Sequence, residues 1–217
     1  MNTADIIAAV AAIEQAILGA ESEIEALDRA IGDGDHFINV RRGCAVISAM
    51  GGDLASRSPD EAFTAIGTKL LSTIGGASGP LFASLFLAMG KTLKGKPEPD
   101  ARDLAAAFTA GVDAIRSRGK ADVGEKTMLD VLIPVARLLE RLTAAAEPDG
   151  AVCAALKDEA HRGMISTRDM IATKGRANFL GDRAIGHIDP GSKTCQVAIW
   201  AVCDLVTADA PGLMRTA

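Results

Sequence analysis

Leu27-Asp28-Arg29-Ala30-Ile31-Gly32-Asp33-Gly34-Asp35-His36-Phe37-Ile38-Asn39 gathers three aspartates, two glycines, a histidine and an asparagine into one short stretch. The glycines let the backbone turn sharply, so that nearby carboxylates converge on one point. Three unpaired carboxylates that close repel one another and call for a cation. Oxygen-only donors suit a hard ion, Mg²⁺ or Ca²⁺, rather than zinc. The calcium-hand loop is a poor match. With Asp33 as its first position, Phe37 falls where an oxygen ligand belongs, and the required glycine is missing after it. Mg²⁺ fits better, because it takes one or two carboxylates and leaves its other octahedral positions to water and phosphate. The plainer reading is a solvated acidic turn between two helices. Asp28 one helix end earlier, and His36 and Asn39 just after, weigh against it.

Outward from this turn the chain is a succession of helical patterns. A first helix is expected from Thr3 to Leu27, with Ile6, Val10, Ile13, Ile17, Ile24 and Leu27 on one stripe and Asp28 closing it. A second runs from His36 to Met50 and stops at Gly51-Gly52. Ser58-Pro59-Asp60-Glu61 combines a cap, a proline at the first helical position and a capping box, and starts a third helix to Ile74. A fourth leaves Gly75-Gly76-Ala77-Ser78-Gly79-Pro80 and ends at Leu93. A fifth, capped by Asp100, ends at Gly119. A sixth begins after Thr127 and reaches about Ala146, with a kink expected at Pro134. A seventh runs from about Val152 to Ala172, and the last from Ser192 through Leu205. No alternating strand pattern interrupts them, so the fold class is all-α: an eight-helix antiparallel barrel or bundle, one domain over residues 1–217. In up-and-down order, the loops at Gly32, Gly75 to Gly79, Gly119 to Gly124 and Gly181 to Gly191 gather at one rim.

Composition narrows the function. Apolar residues make up 48% but aromatics only 3%, with no tyrosine, so the core is built from Ala, Leu, Ile and Val across close helix contacts. A net charge of −5 excludes the basic stripe of a nucleic-acid binder. No apolar run approaches the roughly 18 residues of a membrane span, and Asp5 and Glu14 interrupt the apolar start, which argues against a signal peptide. Cys44, Cys153, Cys195 and Cys203 form no C-x-x-C, which points to neither zinc nor a disulfide framework but to a reducing cytoplasm.

Several loops add chemistry. Gly75-Gly76-Ala77-Ser78-Gly79 opens a helix with small residues, an arrangement that offers main-chain N–H groups to a phosphate, or else simply a tight turn. Lys126 stands at a helix start, where the dipole disfavours a cation. Either a negative partner or an i,i+4 pair with Asp130 explains it. Arg176, in a glycine-rich loop, suits bidentate phosphate contact. His187 and Asp189 line a lid or cap a turn. No Ser–His–Asp or Cys–His arrangement is evident. The residues by themselves reach a metal–phosphate site.

Taken together, Leu27-Asp28-x-x-Ile31-Gly32-Asp33-Gly34-Asp35-His36-x-x-Asn39-x-x-Arg42-Gly43, Gly75 to Pro80, Gly124-Glu125-Lys126-Thr127-Met128-Leu129-Asp130, Gly175-Arg176-Ala177 and Ile185-Gly186-His187-x-Asp189-Pro190-Gly191 resemble the nucleotide-binding L subunit of the dihydroxyacetone kinases. The resemblance implies an eight-helix barrel with the nucleotide at one rim. It implies that Asp28, Asp33 and Asp35 hold two Mg²⁺ ions. His36, Phe37, Ile38, Asn39, Ala77 and Ser78 would surround ADP or ATP, with Gly119 and Met128 beside base and ribose, Arg176 on phosphate or ribose, and Asp189, Pro190 and Gly191 in the closing loop. Three residues depart from the family pattern: Phe37 for glycine, Glu125 for aspartate and Phe179 for tyrosine. The implied reaction is phosphoryl transfer to dihydroxyacetone or a related short ketose held on a separate K-type subunit. The phosphoryl donor is free ATP or a phosphohistidine protein of the phosphotransferase system. The implied alternatives are an erythrulose-type kinase subunit and a regulatory nucleotide-binding module that contacts a transcription factor. A helical protein that binds a divalent cation without nucleotide is a further reading, and the chain could work as a monomer or a homodimer.

Overall fold

The computed structural model describes residues 1–76 and 78–208, and among these the chain is helical with no strand. Its helices are α1 (Thr3–Gly19), α2 (Glu21–Ile31), α3 (His36–Ser48), α4 (Gly51–Leu54), α5 (Pro59–Thr73), α6 (Ser78–Leu93), α7 (Ala101–Gly119), α8 (Leu129–Ala144), α9 (Asp149–Ser166) and α10 (Pro190–Ala208). Short 3₁₀ segments occupy Thr167–Asp169 and Arg176–Ala184. Each long helix packs on its sequence neighbours, α1 on α3, α3 on α5, and then α5 through α10 in turn, while α10 returns to pack on α1. The eight long segments therefore close into a ring, as the sequence pattern predicts. No single helix among the described residues is long and apolar enough to cross a membrane.

Local signals explain most of the boundaries. Ser58 and Glu61 form the expected capping box with Pro59 at the first helical position. Asp100 caps α7 by accepting from Asp103 N, with Asp103 returning the bond. At the amino end Asn2, not Thr3, is the cap, paired reciprocally with Asp5. The expected single helix Thr3–Leu27 is two: α1 and α2 meet at Ala20 with a bend of 66°. That break puts Ile17 and Ile24 into one cluster with Phe37 and Val40, and the second piece runs past Leu27 to Ile31, so Asp28 sits inside a last turn rather than after it. The seventh expected helix stops at Ser166, six residues short of Ala172, and passes into the 3₁₀ turn Thr167–Asp169, where buried Thr167 donates its hydroxyl to Met164 O.

Close helix approach is visible at glycines. A Cβ on Gly67 of α5 would stand 2.9 Å from Ala83 O of α6, and one on Gly111 of α7 would stand 2.9 Å from Leu85 O. Helix α8 continues through Pro134, whose missing N–H leaves Asp130 O without its helical partner. Gly163 of α9 packs directly over that carbonyl. The core has two main clusters. One is shared by α6 to α10 around Leu129, Leu132, Val135 and Leu156, and the other by α1, α3 and α5 to α7 around Ile6, Ile47, Ile66 and Leu93.

Up-and-down order has one consequence for function. Helices α3, α6, α8 and α10 all begin at the same rim, where the glycine-rich connections lie, and contacts between loops confirm the gathering. Arg176 reaches Asp33, Gly76 lies against Asn39 and Asp35, and Gly191 lies against Met128. At the opposite rim, the Met1 amine donates to Pro99 O at 2.9 Å and Thr3 to Arg57 O at 2.7 Å.

Candidate functional site

The rim is built around the acidic turn. Asp28, Asp33 and Asp35 each offer a carboxylate oxygen, and these oxygens all lie within 4.8 Å of one another. Asp28, only 4% exposed, is the fixed member. Its Oδ2 accepts from His36 N at 2.9 Å, which ties the carboxylate to the start of α3. Gly32 is required here by space rather than by φ. A Cβ on it would overlap Asp28 Oδ1 and stand 2.8 Å from Asp28 O. Gly34 takes φ +78°, in the left-handed region, and so turns the chain between Asp33 and Asp35. Three clustered carboxylates of this kind, with oxygen as the sole donor and backbone packed tightly behind them, fit a hard divalent cation.

The surrounding residues divide into those the rim brings together and those it does not. Asn39 is buried beside Gly75 and Gly76, one turn into α3. Ser78 opens α6, and Gly79 lets that helix start against Ile74. Met128 is buried against Gly191, at the junction of α8 and α10. Gly119 is exposed at the end of α7, in reach of Leu81. Arg176 Nε lies 2.9 Å from Asp33 Oδ2, so the glycine-rich loop meets the acidic turn directly. Ile38 faces solvent at the rim. Ala77 lies outside the described residues. The Phe37 side chain departs from the group: it is 1% exposed, packed with Ile17, Ile24 and Val40 below the rim and overlain by the Arg41 guanidinium. Only its main chain is left for the mouth, and the helical backbone there accepts phenylalanine where the resemblance leads one to expect glycine.

His36 is held from behind. Its Nε2 lies 2.8 Å from Thr194 Oγ1, while that hydroxyl also donates to Pro190 O at 3.0 Å. A hydroxyl has one proton, so with that proton on Pro190 O the imidazole carries its hydrogen on Nε2. Burial holds the His36 pKa below its ordinary value, against the opposing pull of Asp28, Asp35 and Asp33. Thr194 escaped the sequence reading, although it stands one helical turn after Pro190.

Asp189 caps α10. Its Oδ2 accepts from Ser192 N at 2.6 Å, and its own N–H donates to Thr167 Oγ1 at 3.0 Å. Enclosure of its carboxyl pushes its pKa up to about 7, with Asp130 and Asp28 adding to the rise and Ser192 N–H and Lys126 opposing it. Lys126 does not form the i,i+4 pair with Asp130 that its position suggested. Asp130 is spent on the main chain, taking Gly124 N at 2.5 Å and Thr127 N at 2.8 Å. The Lys126 ammonium turns inward to main-chain carbonyls of the α9–α10 connection. Glu125 bridges two loops, accepting from Asp122 N at 2.6 Å and from Thr173 Oγ1 at 2.8 Å.

The mouth thus combines an acidic cluster, four helix N-termini with their partial positive charge, and one arginine over the acids. A family model described as the DAK2 domain matches residues 30–204. The chain belongs to the DAK2 domain family. This DAK2 domain is 42% identical over 170 residues to the ADP-binding subunit DhaL of a PEP-dependent dihydroxyacetone kinase of Listeria innocua, covering 77% of this chain and 78% of that one. It is 39% identical over 180 residues to the corresponding ADP-binding subunit of Escherichia coli, covering 81% and 84%. It is 30% identical to a D-erythrulose kinase of Mycolicibacterium smegmatis, where the match takes in 93% of this chain but 35% of the longer relative. In fold, the DAK2 domain superposes on the dihydroxyacetone kinase of C. freundii, solved in complex with AMP-PNP and Mg²⁺. The TM-score is 0.72 at 24% identity, over 92% of this chain and 33% of that one.

Proposed function

We propose that this DAK2 domain is the nucleotide-binding subunit of a dihydroxyacetone kinase, which passes a phosphoryl group to a short ketose held by a separate K-type subunit. The observation that carries this reading is the convergence of Asp28, Asp33 and Asp35 within 4.8 Å at a rim where four helices begin. The subunit names of the two bacterial relatives support it. Asp28, Asp33 and Asp35 hold Mg²⁺, two ions in this reading. When bound, the metal neutralises charge on the phosphates and on the oxygen that departs. The protein's own part is positioning. His36 to Asn39 and Ser78 present helix starts to the phosphates. Met128 and Gly119 border the base and ribose, Arg176 leaves Asp33 for a phosphate oxygen, and Asp189 to Gly191 shape the wall from α10. In this reading the transfer is direct, between nucleotide and a sugar presented by the partner.

The relatives named as PEP-dependent or PTS-dependent favour a resident ADP, recharged by a phosphohistidine protein of the phosphotransferase system, in the cytoplasm. Mass spectrometry of the purified protein, native and then denatured, tests this. Co-purifying ADP with Mg²⁺ is expected. An empty protein that binds ATP·Mg²⁺ reversibly assigns the donor to free ATP. A protein that binds neither nucleotide, and whose thermal response to Mg²⁺ survives Asp33→Ala, overturns the reading.

A further inference from the structure

We propose that Lys126 is the clamp that closes the base of the loop 168–187 and thereby seats Arg176 over the acidic turn. It is a positioning residue, not a phosphate contact. This deepens the nucleotide-subunit reading and rests on it only where nucleotide is concerned.

The connection between α9 and α10 is long and carries the two 3₁₀ segments Thr167–Asp169 and Arg176–Ala184. Its two ends meet at one side chain. The Lys126 ammonium donates to Thr167 O at 2.5 Å and to Arg168 O at 3.4 Å on the outgoing limb, and to His187 O on the returning limb. Gly186 N adds a rung to Arg168 O at 2.8 Å. An ammonium has three donors, and three carbonyls take them, so none remains for a ligand. The residue is 1% exposed. Desolvation lowers its pKa, while Asp189, Asp169 and Asp130 around it favour the charged form. The backbone at Lys126 has φ +60°, a left-handed conformation that is unusual for a residue with a side chain. It persists because the surroundings over-determine it.

Above this base the loop makes two further attachments. Ala172, Ala177 and Ala184 close over Ile31, the last residue of α2. Arg176 reaches Asp33, two residues beyond Ile31. The clamp, the apolar underside and the Arg176 tip thus lie in sequence from the α8 start to the acidic turn, and displacement of the base moves Arg176 away from the mouth.

The test compares Lys126→Met with the unaltered chain by limited trypsin digestion and by Mg·ADP titration. Lys174, Arg176 and Arg183 provide cleavage sites within the loop. Loss of a charged donor from two limbs raises the loop's opening, and with it the cleavage rate at those sites, by about tenfold or more. Cleavage elsewhere stays unchanged and Mg²⁺ alone binds no more weakly, while Mg·ADP binds about tenfold more weakly. Lys126→Met loop cleavage at the unaltered rate overturns the proposal, whatever happens to the nucleotide. If the unaltered chain binds no Mg·ADP, the functional reading fails and the cleavage comparison still decides the clamp. Reductive methylation of the unaltered protein gives an answer even if the variant does not fold: Lys126 is expected to stay unmodified while exposed lysines react, and modification of Lys126 at their rate refutes the clamp.

Discussion

Gly32→Ala isolates the acidic turn from everything else in the fold. The backbone at Gly32, φ −119°, suits any residue, so the substitution acts through space alone. The added methyl would overlap Asp28 Oδ1 and stand 2.8 Å from Asp28 O and 2.9 Å from Asp28 Cγ. The carbonyl cannot retreat, because it belongs to the last turn of α2 and accepts Gly32 N at 2.6 Å. The carboxylate must therefore swing, and its bond from His36 N at 2.9 Å goes with it. A hydrogen bond to a buried charged group contributes about 1.5–3 kcal/mol, so urea unfolding without metal should show a loss of about 2 kcal/mol. The displaced ligand also weakens Mg²⁺, by about 10–100-fold on the scale seen when a ligand's support is removed. Isothermal titration with Mg²⁺ reads the second effect directly. A Gly32→Ala protein that keeps both its stability and its Mg²⁺ affinity refutes the placement of Asp28 as the fixed ligand.

Three further outcomes are expected. Arg176→Ala removes a pair that is largely exposed, with side chains 68% and 39% accessible. Free Mg²⁺ should then bind up to about fivefold more tightly, since such pairs contribute only ~0.2–1 kcal/mol, whereas Mg·ADP binds more weakly; the same direction for both ligands contradicts a dual role for this arginine. Asp189 has a folded pKa of about 7 against an ordinary 3.8, so its stabilising share is complete below pH ~4 and lost as pH rises to ~7, at a slope of at most about 1.4 kcal/mol per pH unit. In EDTA, Asp189→Asn should flatten the stability profile across that window, because the amide oxygen can still accept from Ser192 N; an unchanged profile excludes the enclosed carboxyl as its source. A thiol reagent at pH 8 should find the native protein almost inert. Cys44 is pushed up to about 12 by burial and Glu14, leaving about one thiolate in ten thousand, while Cys153, Cys195 and Cys203 are buried; rapid labelling of one or more of the four contradicts this packing.

How far the sequence disclosed these features depended on range. Local chemistry was legible: Ser58 with Glu61, the Asp100 cap, and the glycine connections all act within a few residues. The clustering of Asp33 with Asp35 follows from spacing, and even Asp28 comes to them through a single helix end. The break at Ala20 was not legible, because the apolar stripe continues across it and neither flanking turn carries a breaker beyond Gly19. The resemblance put Phe37 in the segment around the nucleotide, and it is only the side chain that helix periodicity turns into the cluster with Ile17 and Ile24. Lys126 and Thr194 show the same limit more sharply. Their partners lie 41 to 61 and 158 residues away, and only the closed ring brings those segments together.

The contact of α10 with α1 also makes the chain circular in all but covalent terms. Helix α10 descends from the mouth and α1 climbs towards it, so Ala208 and Thr3 end at the far rim, as do the turns at 49–58, 94–100 and 145–148. Joining the two ends by a linker of ordinary helix-hairpin length, and opening the chain instead at 145–148, would preserve the order of helices around the ring and every connection at the mouth. Such a permutant changes which segment emerges first in synthesis while leaving the binding rim whole. The order of the helices along the chain is thus separable from the rim at which they meet.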